Sequence, residues 1–151
     1  MATLITGILD FMRTQVVAIT PTFAGPPFAA SVGDEPLSLG PTDTGADRTV
    51  RVVTMEDRAL RKLWGAGANE YERTVQVLVK HIMLQSDTEM EQRMDADEQD
   101  ITIALQATGL SWPAGLVNVV PATGGARTPL TGEGADVMLQ SVPFTVIYEE
   151  Y

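Results

Sequence analysis

The stretch YERTVQVLVKHIML, residues 71–84, is the strongest strand sequence in this chain of 151 residues. Val75, Val77 and Val79 fall on one side of an extended backbone, because successive side chains of a strand point to opposite faces. From Leu78 onward the other side is also fairly apolar, which indicates a central strand covered on both faces. At about 3.3 Å per residue the stretch is long for so small a chain. We therefore expect it to bend or to project beyond the sheet.

Three further stretches of the sequence predict the partners of this strand. Residues 48–54 alternate in the same way, residues 116–128 form a strand broken at Gly124 and Gly125, and residues 136–151 form a closing strand. Pro143 cannot donate a ladder hydrogen bond, so we expect an edge or a bulge there. The sequence thus predicts a mixed or antiparallel sheet of about four strands.

Helical periodicity appears near the N-terminus and again after the long strand. Apolar residues recur at helical spacing over residues 4–19, where Asp10 and Arg13 interrupt the apolar run and no basic region precedes it. This pattern predicts an amphipathic helix of a soluble protein rather than a signal peptide or a membrane span. Ser86 and Glu89 form a capping box that starts a second helix, which we expect to end before Gly109.

The remaining segments are a short predicted helix and a long connection. Residues 55–64 are expected to form the helix, ended by Gly65. Residues 20–47 hold five of the nine prolines and four glycines, and show neither helical nor strand periodicity. They form either a solvated linker or an arm that lies on a neighbouring subunit. We therefore predict a single α+β domain over residues 1–151, in which the sheet packs with the N-terminal helix and the second helix.

The amino-acid composition excludes most kinds of catalytic and metal-binding site. The absence of cysteine excludes disulfides, thiol nucleophiles and zinc–thiolate sites, and the one histidine excludes a multi-histidine metal centre. His81 lies within the predicted strand and is interpreted as structural, and no serine has the G-x-S-x-G context of a hydrolase nucleophile. Twenty acids against ten bases argue against binding of nucleic-acid phosphates. We predict no enzyme activity, no metal and no cofactor.

The excess acid is concentrated in the second predicted helix, where residues 87–100 hold seven acids and one base, Arg93. The acids are Asp87, Glu89, Glu91, Asp95, Asp97, Glu98 and Asp100. A calcium-binding loop that began at Asp95 would need a glycine at its sixth position and a glutamate at its twelfth, and the sequence has neither. The helix presents either an ordinary solvated face or a surface that repels a passing polyanion.

Two other groups of charged residues are candidate contacts with a neighbouring subunit. Arg58, Arg61 and Lys62 share one side of the helix predicted over residues 55–64, where they form either a solvated face or a contact for an acidic surface. The glycine-marked loop of residues 127–136 contributes Arg127, Glu133 and Asp136.

The order of these elements resembles the tail terminator proteins of long-tailed bacteriophages. The similarity rests on the amphipathic N-terminal helix, the proline-rich connection, the acidic helix between strand pairs and the closing sequence VPFTVIYEEY, residues 142–151. It spans residues 4–151 at the level of pattern, because that family has no invariant catalytic motif. Residues 55–68 are the least family-like part.

The resemblance implies a hexameric ring that caps the tail tube, ends its polymerisation and joins it to the neck or head of the virion. The implied partners are further copies of the chain, the tail tube protein and a neck or head-completion protein. The particle would be assembled in the host cytoplasm. DNA would then pass a lumen lined by the acidic helix without binding to it. The alternative function is a small acidic binding or inhibitor module that mimics DNA, and a hydrolase is disfavoured by the residue inventory.

Overall fold

A computed structural model describes residues 4–30, 47–54, 58–63, 69–82, 87–107, 111–123, 125–132 and 135–150. It is an α+β fold with two helices and a mixed sheet of seven strands. The elements in chain order are α1 (Leu4–Val17), β1 (Ala29–Ala30), β2 (Thr49–Thr54), β3 (Ala59–Leu63), β4 (Asn69–Ile82), α2 (Asp87–Gln106), β5 (Leu116–Pro121), β6 (Arg127–Gly132) and β7 (Ala135–Glu150). The predicted α+β class is confirmed, and the predicted number of four strands is wrong.

An antiparallel ribbon of β4 and β7 organises the sheet. The two strands pair without interruption from Asn69 opposite Glu150 to Ile82 opposite Val137. Shorter strands flank the ribbon in two groups: β2 and β6 lie at the end near Ile82, with β1 beyond β2, and β3 and β5 lie at the end near Asn69. Because each short strand covers only part of the ribbon, one long strand pair supports two different sets of neighbours.

The hydrophobic core lies between one face of the sheet and the two helices. Val75, Val77 and Val79 of β4 are fully buried on this face, as their alternation in sequence predicts. The rest of the core comes mainly from α1, α2 and the other strands of the sheet, among them Ile8, Met12, Val16, Val50, Ile101, Leu105, Val119, Val142, Phe144 and Val146. No described helix packs on the opposite face, where Leu78 is half-buried and Ile82 is exposed. The second face of β4 therefore has no described helix over it, although Lys80 and Glu70 on that face are buried.

Both predicted long helices are present. The described part of α2 carries its apolar positions on the buried side, including Met90, Met94, Ile101 and Leu105. Ser86, the predicted N-cap, lies outside the described residues. Neither α1 nor α2, the helices of the described ranges, is long and apolar enough to cross a membrane.

Two local predictions are wrong because strand pairing overrides local sequence preference. Residues 59–63 of the predicted short helix form β3, which pairs with the end of β4 that extends beyond β2. The predicted loop over residues 127–136 is instead strand β6 followed by the first residues of β7. In both places a long neighbouring strand offers unpaired backbone groups, and pairing with them satisfies hydrogen bonds that a loop would leave to water.

Pro143 does not mark an edge or a bulge, because β7 is a central strand with unbroken register against β4. The N–H of Ser141 donates to the carbonyl of Ala126, on the side of β7 away from β4. Since N–H groups alternate along a strand, the nitrogen of Pro143 faces the same side, in the gap between β5 and β6. The missing donor therefore falls where no ladder bond is needed, and the carbonyl of Pro143 accepts from the N–H of Ala122.

At this gap the backbone of Gly125 lies close to the backbone of β7. A Cβ atom on Gly125 would lie 2.7 Å from the carbonyl oxygen of Ser141 and 3.2 Å from Cδ of Pro143. We expect Gly125→Ala to lower the free energy of unfolding by about 1–3 kcal/mol, because backbone must shift to admit the methyl group.

Gly7→Ala is the matched control in helix α1, where a Cβ would meet no atom within 4 Å. This substitution should raise the free energy of unfolding by up to about 1 kcal/mol, since alanine is the better helix former. Urea unfolding of both variants measures the difference, and equal effects at the two positions would contradict the close approach.

Candidate functional site

Arg48 is the most unusual residue of the described chain. It lies immediately before β2, has a φ of 61°, and its side chain is completely buried. A positive φ is uncommon for a residue with a side chain and costs free energy unless the surroundings impose it. Here the N–H of Arg48 donates to the carbonyl of Lys80 and its carbonyl accepts from Ala29, so β4 and β1 hold its backbone from both sides.

The guanidinium of Arg48 joins three parts of the molecule. Its Nε and Nη2 atoms donate to the two carboxylate oxygens of Asp97, at 3.0 and 2.9 Å. Nη1 donates to the carbonyl of Pro26 at 3.0 Å, and Nη2 also donates to the carbonyl of Phe23 at 2.9 Å. The group also lies 5.4 Å from the ring centre of Phe28. Four of its five N–H groups can thus be assigned partners, which a buried cation requires.

A second ion pair lies beside the first. Nη2 of the buried Arg93 is 2.7 Å from Oδ1 of Asp47, and the same oxygen accepts a hydrogen bond from the N–H of Ile82. Asp47 thereby links α2 to the end of β4. With Arg48 and Asp97, these residues form a cluster of two cations and two anions, which we call the ionic cluster.

His81 completes the cluster in its neutral form. Nε2 of Gln140 donates to the carbonyl of Met94 at 2.7 Å, so the amide oxygen of Gln140 faces His81, where it is 2.8 Å from Nε2. Because that oxygen can only accept, His81 carries its proton on Nε2. Its Nδ1 atom has no hydrogen-bond partner and lies 3.8 Å from Oδ2 of Asp97.

Burial shifts two pKa values of this group in opposite ways. Burial lowers the pKa of His81 from 6.5 to about 4, although the hydrogen bond with Gln140 acts the other way. Burial raises the pKa of Asp97 to about 6, although Arg48 stabilises the charged form. At pH 7 the histidine is therefore neutral, Asp97 is mainly ionised, and the charges of the ionic cluster sum to zero.

The cluster fixes the positions of elements rather than presenting reactive groups. The side chains of Arg48, Asp97 and His81 are completely buried, so no substrate reaches them in this conformation. Through Phe23 and Pro26 the cluster fastens residues 20–30, the described beginning of the predicted arm, to the domain. Thr22 adds to this contact, since its N–H and hydroxyl donate to Asp100.

The acidic residues predicted to share one face have different environments. Asp97 is buried against Arg48, so its assignment to an exposed acidic face is wrong; burial is possible because the arginine compensates its charge. Asp95 and Glu98 hold Arg127 of β6 at 2.6 and 3.1 Å, and these carboxylates raise the pKa of that arginine although its burial lowers it. Glu89 and Glu91 are exposed, and the side chain of Asp87 lies outside the described part.

The predicted contact residues are also distributed differently from the prediction. Arg58 lies over the ring of Tyr71, 4.1 Å from its centre, and pairs with Glu150, while Arg61 lies 3.6 Å from Glu70. They flank or belong to β3 and do not share a helix side. Glu133 and the side chains of Lys62 and Asp136 lie outside the described part of the molecule.

Sequence reasoning missed the ionic cluster, although one pattern could have revealed part of it. Asp97 stands on the stripe formed by Met90, Met94, Ile101 and Leu105, at intervals of three and four residues. An acid on an apolar helix stripe is expected to be buried and paired. The identity of its partner could not be found in this way, because Arg48 lies 49 residues away.

Removing one member of the buried pair should be strongly destabilising. We expect Arg48→Met to lower the free energy of unfolding by about 3–5 kcal/mol, because Asp97 would remain buried without its counter-ion. Adding Asp97→Leu should recover much of that loss, which a double-mutant cycle by urea unfolding measures. Arg13→Met, which removes the exposed pair with Asp10, should cost at most about 1 kcal/mol. Additive effects of the two cluster substitutions would show that the pair is not coupled.

The pKa values of His81 and Asp97 shift in opposite directions, so we expect their effects on the pH dependence of stability to cancel. Between about pH 4 and pH 6 the folded pair holds one proton on Asp97, whereas the unfolded chain holds one on His81. The two states bind equal numbers of protons, so the pair adds almost no slope to the dependence of stability on pH.

Single substitutions should reveal the two opposing slopes. In Asp97→Asn only His81 remains, with a lowered pKa, so stability should fall relative to the parent chain as pH decreases from about 6.5 to 4. In His81→Asn only Asp97 remains, with a raised pKa, so stability should fall as pH rises from about 4 to 6. Urea unfolding at several pH values tests this, and slopes of the same sign in both variants would refute it.

The described ranges contain no group of three or more His, Asp or Glu side chains placed to hold a metal ion. Comparison with known proteins adds no family assignment, since no protein-family model and no curated protein sequence matches the chain. The inference of function therefore depends on the geometry of the chain itself.

Proposed function

We propose that the chain is a structural subunit of a phage tail or neck that assembles into a ring, most simply a hexamer, and has no catalytic role. In this proposal the ring caps the tail tube, ends its polymerisation and joins it to a neck or head-completion protein of the virion. Assembly takes place in the host cytoplasm.

The observation that carries the proposal is the one-sided arrangement of the described helices and sheet. Both helices pack on one face, while the opposite face of the β4–β7 ribbon carries aliphatic side chains at the end near Ile82, where Leu78 and Leu139 are half-buried and Ile82 is exposed, although Lys80, Ser141 and Ile147 on that face are buried. Partly exposed aliphatic side chains on a sheet face are typical of a surface that packs against other proteins. A ring subunit needs such surfaces, because it contacts two neighbours as well as the rings above and below it.

Electrostatics supports a ring through which DNA passes without binding. Each chain carries a formal charge of -10, so six copies carry 6 × -10 = -60. A strongly negative lumen repels phosphate, which is the reverse of the attraction used by DNA-binding proteins. The carboxylates of Glu89 and Glu91 on α2 are exposed and could line it, whereas Asp97 is buried and Asp95 and Glu98 pair with Arg127.

A DNA-mimicking inhibitor fits the side-chain contacts less well. Such a protein needs carboxylates that are free to meet the basic surface of its target. Here Asp97 and Asp100 are engaged within the chain, and Asp95 and Glu98 share Arg127. The acids of α2 therefore stabilise the fold itself to a large extent.

The mass of the protein in solution tests the proposed ring. Six chains of 16.3 kDa amount to about 98 kDa. Light scattering over a wide concentration range should show this species, and negative-stain images should show rings with a central opening. A 16.3 kDa monomer at every concentration, without rings, would count against the ring and favour the binding module.

A further inference from the structure

Residues 20–27, which we call the lid, form a thin cover over the ionic cluster. Gly25 and Pro26 of the lid are exposed, whereas Arg48 and Arg93 beneath them are 0% and 1% exposed. A Cβ atom on Gly25 would lie 3.1 Å from Nη1 of Arg48 and 3.9 Å from Cζ of Arg93. At this point a single layer of chain therefore separates both buried cations from solvent.

The two ends of the lid are anchored in the hydrophobic core, but its middle is not. Ile19, just after α1, packs against the core, and Phe28 is a buried member of it. Between these anchors every residue of the lid is exposed or only half-buried. Because the lid buries little apolar surface, moving it outward costs less free energy than unfolding the domain.

Hydrogen bonds to two side chains of the folded domain hold the lid closed. Arg48 donates to the carbonyls of Phe23 and Pro26, and Asp100 on α2 accepts from the N–H and the hydroxyl of Thr22. Water replaces polar contacts of this kind when a segment moves into solvent, so the net cost of breaking each one is modest.

Proline makes the lid stiff. Pro21, Pro26 and Pro27 are three of its eight residues, and the ring of each fixes the backbone φ angle. A segment restricted in this way has few conformations to adopt when it is released. We therefore expect the lid to move as one unit between its two anchors.

The ionic cluster beneath the lid gains from contact with water. Nε of Arg93 is buried without a hydrogen-bond partner, and the side chains of Arg48 and Asp97 are completely removed from solvent. Burial of charged and unpaired polar groups is costly. Hydration of these groups thus offsets part of the cost of breaking the hydrogen bonds of the lid.

We propose that the lid opens as one unit while the core stays folded, with its hydrogen bonds to Arg48 and Asp100 as the latch. The hinges lie at the core anchors, Ile19 and Phe28. Opening uncovers Arg48 and Arg93, and water reaches the ionic cluster by this route. The device belongs to a single copy of the chain and does not depend on the proposed ring.

Native-state hydrogen exchange of the full chain tests the lid. The N–H of Thr22 and the Nε–H of Arg93 should give equal opening constants that hardly change at low urea concentrations. The N–H of Val77 in β4 should be at least about a hundredfold better protected, with the urea dependence of global unfolding. Exchange of Thr22 or Arg93 only by the route of Val77 would overturn the proposal.

A disulfide that locks the lid provides the matched comparison, because the chain has no cysteine of its own. The hydroxyl of Thr22 lies 2.8 Å from the carboxylate of Asp100, so Thr22→Cys and Asp100→Cys place two thiols side by side. In the oxidised variant the Nε–H of Arg93 should exchange only with global unfolding, and reduction should restore the faster route. Identical exchange of Arg93 in both forms would contradict a lid that uncovers the cluster.

A single substitution in the lid gives an independent measurement that needs no disulfide. Gly25 has a φ of 151°, and an added Cβ would meet Arg48, so Gly25→Ala should raise the opening constant of the Arg93 Nε–H about tenfold. Gly7→Ala, where the added Cβ meets no atom within 4 Å, should not raise it. An unchanged opening constant in Gly25→Ala would count against the latch.

Discussion

The pair formed by Arg48 and Asp97 is the constraint on which the rest of the structure depends. Burying a carboxylate and a guanidinium is costly, and the cost is offset only when almost every donor and acceptor has a partner. Arg48 meets this requirement by drawing together Phe23, Pro26 and Asp97. Phe23 and Pro26 belong to the N-terminal connection, and Asp97 belongs to α2. The hydrogen bonds of the Arg48 side chain therefore fix the positions of this connection and of α2 on the sheet.

This constraint changes the meaning of the acidic helix. A dense run of carboxylates would by itself repel and weaken a helix, since like charges three or four residues apart are unfavourable. Along α2 the carboxylates are instead divided among Arg48, Arg127 and Thr22, which come from three other parts of the chain. The negative charge of the sequence is therefore in large part a set of tertiary contacts, and only the remainder is available to act on other molecules.

The features that could be predicted from sequence are those set by local periodicity. The valines of β4 alternate and the apolar residues of α1 and α2 recur at helical spacing, so the elements and their buried sides follow directly. Strand β3 could not be predicted in this way, because its conformation comes from pairing with the end of β4. The prediction of an edge or bulge at Pro143 failed for a similar reason. The N–H that proline lacks matters only where a neighbouring strand offers an acceptor, and this depends on where β5 and β6 end. The ionic cluster is still less accessible to such reasoning, because its members are far apart in sequence.

The proposed ring requires a subunit that is rigid where it is buried and selective where it is exposed. Ionic and hydrogen-bonded contacts inside a domain need specific geometry, so they favour one arrangement of helices and sheet more strongly than apolar packing alone. The edges show the complementary property: Val119 has both backbone groups engaged by Asn118 and Gln106, so β5 presents side chains rather than open backbone. Contacts between side chains depend on shape and charge, whereas strand addition accepts many sequences. In the proposed ring, a rigid interior and the engaged backbone of Val119 on the β5 edge would favour a defined assembly over unlimited polymerisation.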